Sequence, residues 1–263
     1  MSGPKAMFLI AGDPCSRRAG ADPLLRAVFD HCGVPSPSIA YIGAASGDDR
    51  RFFTMVTGAF TNSGAGDVTL ATTVRHLERR SFEKTCAVAD AVFFSGGDVD
   101  GGMAVVNRHR LAPLFRELYR GGKLLFGISA GSIMLARTWV RFRDDDKSVG
   151  ELFPCLGIAD ILCDVHDEAD NWGELKALLK LSPDSSIGYG IRAGSAIIVD
   201  PLGTVEPMRE VDTFVKHGNI VARGPRCPQP ARLVSPIGSR STGCGTTAPP
   251  LAPASPRTSG RER

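Results

Sequence analysis

Lys123-Leu124-Leu125-Phe126-Gly127-Ile128-Ser129-Ala130-Gly131 is the stretch on which the reading of this chain turns. An apolar run leads into G-x-S-x-G, and Ser132-Ile133-Met134-Leu135-Ala136-Arg137 follows with a helix-like pattern. Buried strand, sharp turn and helix are the context that makes this motif a nucleophile elbow. Small residues on both sides let strand and helix pass closely, and the turn pushes the central serine oxygen into the open. The Ala130 amide then lies at a helix start, where partial positive charge can meet a developing oxyanion. The competing reading is an ordinary glycine-rich turn with an incidental serine.

Working outward, short apolar runs alternate with helix-like stretches. Met7–Gly12, Ser38–Gly43, Asp67–Leu70 and Ala91–Phe94 read as strands. Pro23–His31, Arg50–Asn62, Glu83–Ala89 and a single long Val105–Arg120 read as the helices between them. Apolar strands without alternation need cover on both faces, so the pattern predicts a doubly wound α/β fold, its sheet mostly parallel with helices on both faces. Ligands of such sheets bind at the carboxyl ends of the strands. The loop Ala44–Asp48, the turn Gly96-Gly97-Asp98 and Ser129 all fall there.

The later part is looser. A helix is predicted over Trp172–Lys180, and strands over Ile187–Ile191, Ser195–Asp200, Thr204–Glu206 and Thr213–Val221. Gly218-Asn219 suits the tight turn of a C-terminal β-hairpin. From Gly224 onward Pro, Ser, Gly, Thr and Arg dominate, and too little apolar surface remains to offset the entropy of ordering. The expected division is a catalytic domain over 1–223 and a disordered tail over 224–263.

Bulk properties exclude several classes. The 263 residues suffice for one large domain, and 43% hydrophobic with 22% charged residues is ordinary for a globular protein. A net charge of +3 gives no case for nucleic acid. No apolar run approaches the roughly 18 residues of a membrane span, and no secretory signal is visible at the start. The seven cysteines (Cys15, Cys32, Cys86, Cys155, Cys163, Cys227 and Cys244) form no C-x-x-C pair, which points to reduced thiols and a cytoplasmic protein.

A serine nucleophile needs a base, and the base an orienting acid. Among five histidines, His31 ends a predicted helix, His76 and His109 lie among arginines, and His217 sits at a hairpin turn. His166 follows the apolar run Ile161–Val165 and precedes the polar Asp167-Glu168-Ala169-Asp170, which places it at a strand end. For the acid, Asp144, Asp145, Asp146, Asp164, Glu168 and Glu206 all remain open. Gly96-Gly97 offers the second oxyanion donor, because glycine lets the backbone approach a substrate. Neither phosphate-loop nor dinucleotide spacing is present.

Phe93-Phe94-Ser95-Gly96-Gly97-Asp98, Gly127–Ser132 and Asp164-Val165-His166, in this order, resemble peptidase family S51, which includes aspartyl dipeptidases and cyanophycinases. The resemblance runs from about Met7 to Val221, taking in Tyr41–Ser46 and Gly190–Ala196. It implies the class I glutamine amidotransferase-like fold, with serine where the amidotransferases carry cysteine. It also implies Ser129 as nucleophile, His166 as base, Asp144 as third member, and Gly97 and Ala130 as oxyanion donors. Substrates would be small peptides, such as Asp-X dipeptides or β-aspartyl-arginine-type peptides. Asp98 is a candidate for a substrate amino group and Arg192 for a carboxylate. No metal or cofactor is called for, no nucleic acid or membrane partner is expected, and a homodimer is allowed. Two stretches depart from the family pattern: Asp167–Trp172 stands where many relatives carry arginines, and Ala193 where an acid is frequent. The alternative class is a non-catalytic small-molecule-binding or regulatory protein on the same scaffold.

Overall fold

Five apolar segments dictate the centre of the molecule. In the computed structural model, which describes residues 3–12, 20–74, 77–143 and 149–224, they form parallel strands β1 (Met7–Ala11), β2 (Ile39–Ile42), β3 (Val68–Ala71), β4 (Ala91–Phe94) and β5 (Leu124–Ile128). Every residue of β1, β2, β4 and β5 is buried, as strands covered on both faces require. One face is covered by α1 (Pro23–Asp30) and α2 (Arg50–Asn62). There Leu25, Val28, Phe29, Val56 and Phe60 pack on Phe8, Phe93, Phe126 and Ile128. The other face carries α3 (Arg79–Val88), α4 (Val99–Arg108), α5 (Ala112–Arg120) and α6 (Ala130–Leu135), through Phe82, Met103, Phe115 and Ile133 among others.

The expected single helix over Val105–Arg120 is two helices. Pro113 lacks an N–H for an interior helical bond and its ring would clash with the preceding turn, so it is accommodated only near a helix start, where it lies in the first turn of α5. The chain turns between α4 and α5 through Arg110 at φ 51°.

After α6 come β6 (Thr138–Phe142) and β7 (Gly150–Pro154), an antiparallel pair of their own that the sequence reading did not foresee. Next are β8 (Leu162–Val165), α7 (Gly173–Leu181) and β9 (Ile187–Ile191). They are followed by β10 (Ser195–Val199), β11 (Val205–Pro207), β12 (Val211–His217) and β13 (Ile220–Arg223). β10 runs antiparallel beside β1, and β11 beside β10, giving a seven-stranded sheet of order β11-β10-β1-β5-β4-β2-β3. β9 belongs instead to a four-stranded sheet, β13-β12-β9-β8. Thus the two consecutive strands over 187–199 serve different sheets, and the Arg192-Ala193-Gly194 turn passes between them. β12 and β13 form the expected hairpin about Gly218-Asn219. Among the described residues, no helix is long and apolar enough to cross a membrane, and the cysteines are free thiols. The predicted tail beyond Gly224 lies outside the described residues.

Candidate active site

The elbow is built by backbone crowding that only glycine permits. A Cβ on Gly127 would sit 2.5 Å from the Gly131 carbonyl carbon, and one on Gly131 would press onto the Phe94 carbonyl. Between them Ser129 takes φ 53° and ψ −122°, a conformation costly for any residue with a side chain. Three bonds to Ile10 near the end of β1 hold the elbow there: the Ser129 amide donates to the Ile10 carbonyl at 2.9 Å, and the buried Ser132 hydroxyl both donates to that carbonyl and accepts from the Ile10 amide, each at 2.9 Å.

His166 comes from the second sheet. β8 pairs with β9 in parallel, Val165 opposite Ile191, and the His166 amide extends the ladder by donating to the Ile191 carbonyl at 2.9 Å. The chain then turns with His166 at φ 46°. This brings its Nε2 to 2.8 Å from the Ser129 hydroxyl oxygen, across 37 residues of sequence. His31 and His109 instead follow the ends of α1 and α4, and His217 ends β12. His76 lies outside the described residues.

Asp144, with Asp145 and Asp146, also lies outside the described residues. Of the other acids considered, Asp164 is buried on β8, and its carboxylate accepts from the Val165 amide at 2.8 Å. Burial pushes its pKa up to about 7 against that bond. Glu168 accepts from the Ala193 amide at 3.1 Å and ties the loop after His166 to the turn after β9. Glu206 lies on β11, at the far edge of the large sheet. Among the described residues, none makes a hydrogen bond to His166 Nδ1.

Gly96 and Gly97 lie directly alongside. A Cβ on Gly96 would be 3.3 Å from that of Ser129, so the absence of a side chain keeps the serine accessible. Gly97 has φ 138°, and a Cβ there would press onto the Ala45 carbonyl, a conformation and a space only glycine fits. The Ala44–Asp48 loop braces this turn: the Ala45 carbonyl accepts from the Asp98 amide at 2.9 Å, and the Ser46 and Ser95 hydroxyls lie 3.1 Å apart. Asp48 holds the loop by accepting from the amides of Thr73 and Val74, each at 2.7 Å. Among the described residues, no hydrogen bond engages the amides of Gly97 or Ala130.

The two candidate substrate-binding charges are committed elsewhere. The Asp98 carboxylate caps α4, accepting from the amides of Asp100 at 3.1 Å and Gly101 at 3.0 Å. Arg192 donates through Nε to Asp212 at 2.8 Å and lies 3.3 Å from Glu210. Asp212 also accepts from the indole N–H of Trp172 at 3.0 Å. Burial raises the Asp212 pKa, but the hydrogen bonds from Arg192 and Trp172 outweigh it and hold the carboxyl below its ordinary value.

Beside Ser129 a cavity of about 380 Å³ opens. Phe52, Val56, Phe93 and Ile128 supply its apolar side chains, Gly12, Gly96, Gly97 and Ala193 its small or backbone surface, and Ser129 and His166 its polar groups. The sequence reading passed over Phe52 and Val56. Their spacing of four on a helix capped by Asp49 is the only sign that they share a face.

A G-x-S-x-G serine within hydrogen-bond distance of a histidine, at the carboxyl end of a doubly wound sheet, is an arrangement used by serine hydrolases. The chain belongs to peptidase family S51, whose family model matches residues 7–203, and is therefore a peptidase of serine type. Among solved structures it is similar to a peptidase from an acI-B1 actinobacterium. That match has a TM-score of 0.62 and 16% identity, covering 84% of this chain and 94% of the other. It is also similar to a protein assigned as a peptidase E from Listeria monocytogenes EGD-e. There the TM-score is 0.56 and the identity 16%, covering 84% of this chain and 100% of the other. At such identities these likenesses speak for the fold. No curated protein matches the chain.

Proposed function

We propose that the chain hydrolyses short peptides through an acyl-enzyme on Ser129, with His166 as general base and Asp144 as the acid that orients it. The observation that carries this reading is the 2.8 Å contact between the Ser129 hydroxyl and His166 Nε2 at a strained elbow. As the Ser129 oxygen bonds to the peptide carbonyl carbon, its proton passes to Nε2. The carbonyl oxygen becomes an oxyanion, held by the Gly97 and Ala130 amides. Collapse breaks the C–N bond, and the imidazolium returns the proton to the leaving amine. Water, deprotonated by the same imidazole, then releases the acid product and regenerates Ser129.

Two features support the oxyanion assignment: neither amide has a partner among the described residues, and Gly96 stands directly against Ser129 while Gly97 lines the same cavity. Asp144 is assigned by the S51 pattern alone. The test is hydrolysis of a dipeptide panel by wild type, Ser129→Ala and Asp144→Asn. Loss of at least about 100-fold in both variants is expected. Undiminished turnover by Ser129→Ala refutes the mechanism.

A further inference from the structure

We infer that the cavity beside Ser129 receives the side chain of the residue whose carbonyl is attacked, and that this side chain is apolar: aliphatic or aromatic rather than acidic. The inference rests on the nucleophile assignment above and names the substrate class of that site.

Position comes first. Phe93, Ile128 and Val56 belong to the face of the large sheet that α1 and α2 cover. The strand carrying His166 packs its Cys163 and Val165 into the opposite core, with α6. The cavity's apolar side chains thus come from the α2 side of the sheet, while the strand leading into His166 packs on the other side and His166 itself lines the cavity next to Ser129. The base must reach the departing amine, so the leaving residue lies on the His166 side and the acyl residue's side chain on the α2 side.

Chemistry follows. Among the described residues that line the cavity, His166 alone is ionisable. The cavity's larger side chains apart from His166 are apolar: Phe52, Val56, Phe93 and Ile128. An aspartyl carboxylate placed there would give up water and meet no cation among the described lining residues, which costs far more than a missing methylene. The guanidinium of the neighbouring turn, Arg192, is neutralised by Asp212 and Glu210 and does not line the cavity. An apolar side chain, by contrast, gains the burial of its own surface against Phe52 and Val56.

The experiment compares kcat/KM for Phe-Leu, Leu-Leu, Ala-Leu, Asp-Leu and Arg-Leu, using wild type, Ser129→Ala, Phe52→Ala and Phe52→Leu. Wild type is expected to favour Phe-Leu and Leu-Leu over Asp-Leu by about 100-fold or more. Phe52→Ala should lower the Phe-Leu to Ala-Leu ratio by about 10-fold or more. Phe52→Leu, a smaller change in volume, gives the same readout should the alanine variant fold poorly, with a smaller fall in that ratio. Ser129-dependent cleavage that favours Asp-Leu or Arg-Leu overturns the inference and leaves the nucleophile standing. So does a Phe-Leu preference that neither Phe52 variant alters. Absence of hydrolysis, or hydrolysis untouched by Ser129→Ala, removes the nucleophile assignment and the inference together.

Discussion

Replacing Gly131 by alanine tests whether the elbow's geometry rests on backbone contact. The new Cβ would press onto the Phe94 carbonyl, 2.6 Å from its carbon and 2.9 Å from the Ser95 oxygen. All three atoms are backbone at the end of a central strand, so no side chain can swing aside. Either α6 or the Phe94–Ser95 segment must shift. Overpacking of this kind costs typically 1–3 kcal/mol, and a clash against backbone belongs at the upper end, about 3 kcal/mol. For a domain of this size that is a fall in Tm of roughly 6–12 °C. Gly96 and Gly97 follow Ser95 directly, so the displacement reaches Ser129's neighbours, where misplacement by about 1 Å costs on the order of 100-fold in rate. Gly58 supplies the control: it lies within α2 with nothing within 4 Å of its added Cβ. Gly58→Ala should stabilise by about 0.5–1 kcal/mol through helix propensity. The assay is thermal unfolding together with peptide hydrolysis for both variants. A Gly131→Ala protein with the Tm and turnover of wild type refutes the crowding argument.

Other consequences are equally concrete. Ser132→Ala strips the Ile10 amide of its hydroxyl partner in a buried position, and chemical denaturation should show a loss of about 1–3 kcal/mol. Asp164 has its folded pKa raised from 3.8 to about 7 by burial, so the native state binds its proton more tightly than the unfolded chain. Its contribution favours folding at low pH and is lost as pH rises from about 4 to about 7; in Asp164→Asn that part of the pH dependence of unfolding should disappear, leaving the variant more stable relative to wild type at pH 8 than at pH 5. Asp212 is the opposite case: its pKa lies below the ordinary 3.8, so its stabilisation is present above that value and fades as pH falls through the folded pKa. Asp212→Asn, which weakens its bonds to Arg192 and Trp172, should cost about 2 kcal/mol at pH 7 and less near pH 2, measured by urea unfolding across pH.

The sheet was legible because its strands are apolar without alternation, a pattern that only double cover explains. The elbow was legible because Gly127, Ser129 and Gly131 each meet a distinct steric demand. His166 stood out by its place after an apolar run. What escaped the sequence depends on tertiary pairing. Nothing local separates β9 from β10, yet the turn at Arg192-Ala193-Gly194 sends them to different sheets. The pair β6–β7 escaped because its strands are only half-buried and lack a strong pattern. Pro113 could have revealed the break between α4 and α5. The partners of Asp98 and Arg192, a helix start and Asp212, were not legible either, because each pairing is set by the fold. Phe52 and Val56 carried no distinct signal, since a cavity wall and a packed core have the same composition.

The central claim is that Ser129 is a nucleophile activated by His166. It is tested most directly by reacting the protein with a serine-directed phosphonate and mapping the adduct by peptide mass, in wild type and in His166→Gln. The account predicts a single adduct on the peptide containing Ser129, forming at least about 100-fold more slowly without the imidazole. An adduct on another residue, or equal rates in the two proteins, would contradict it.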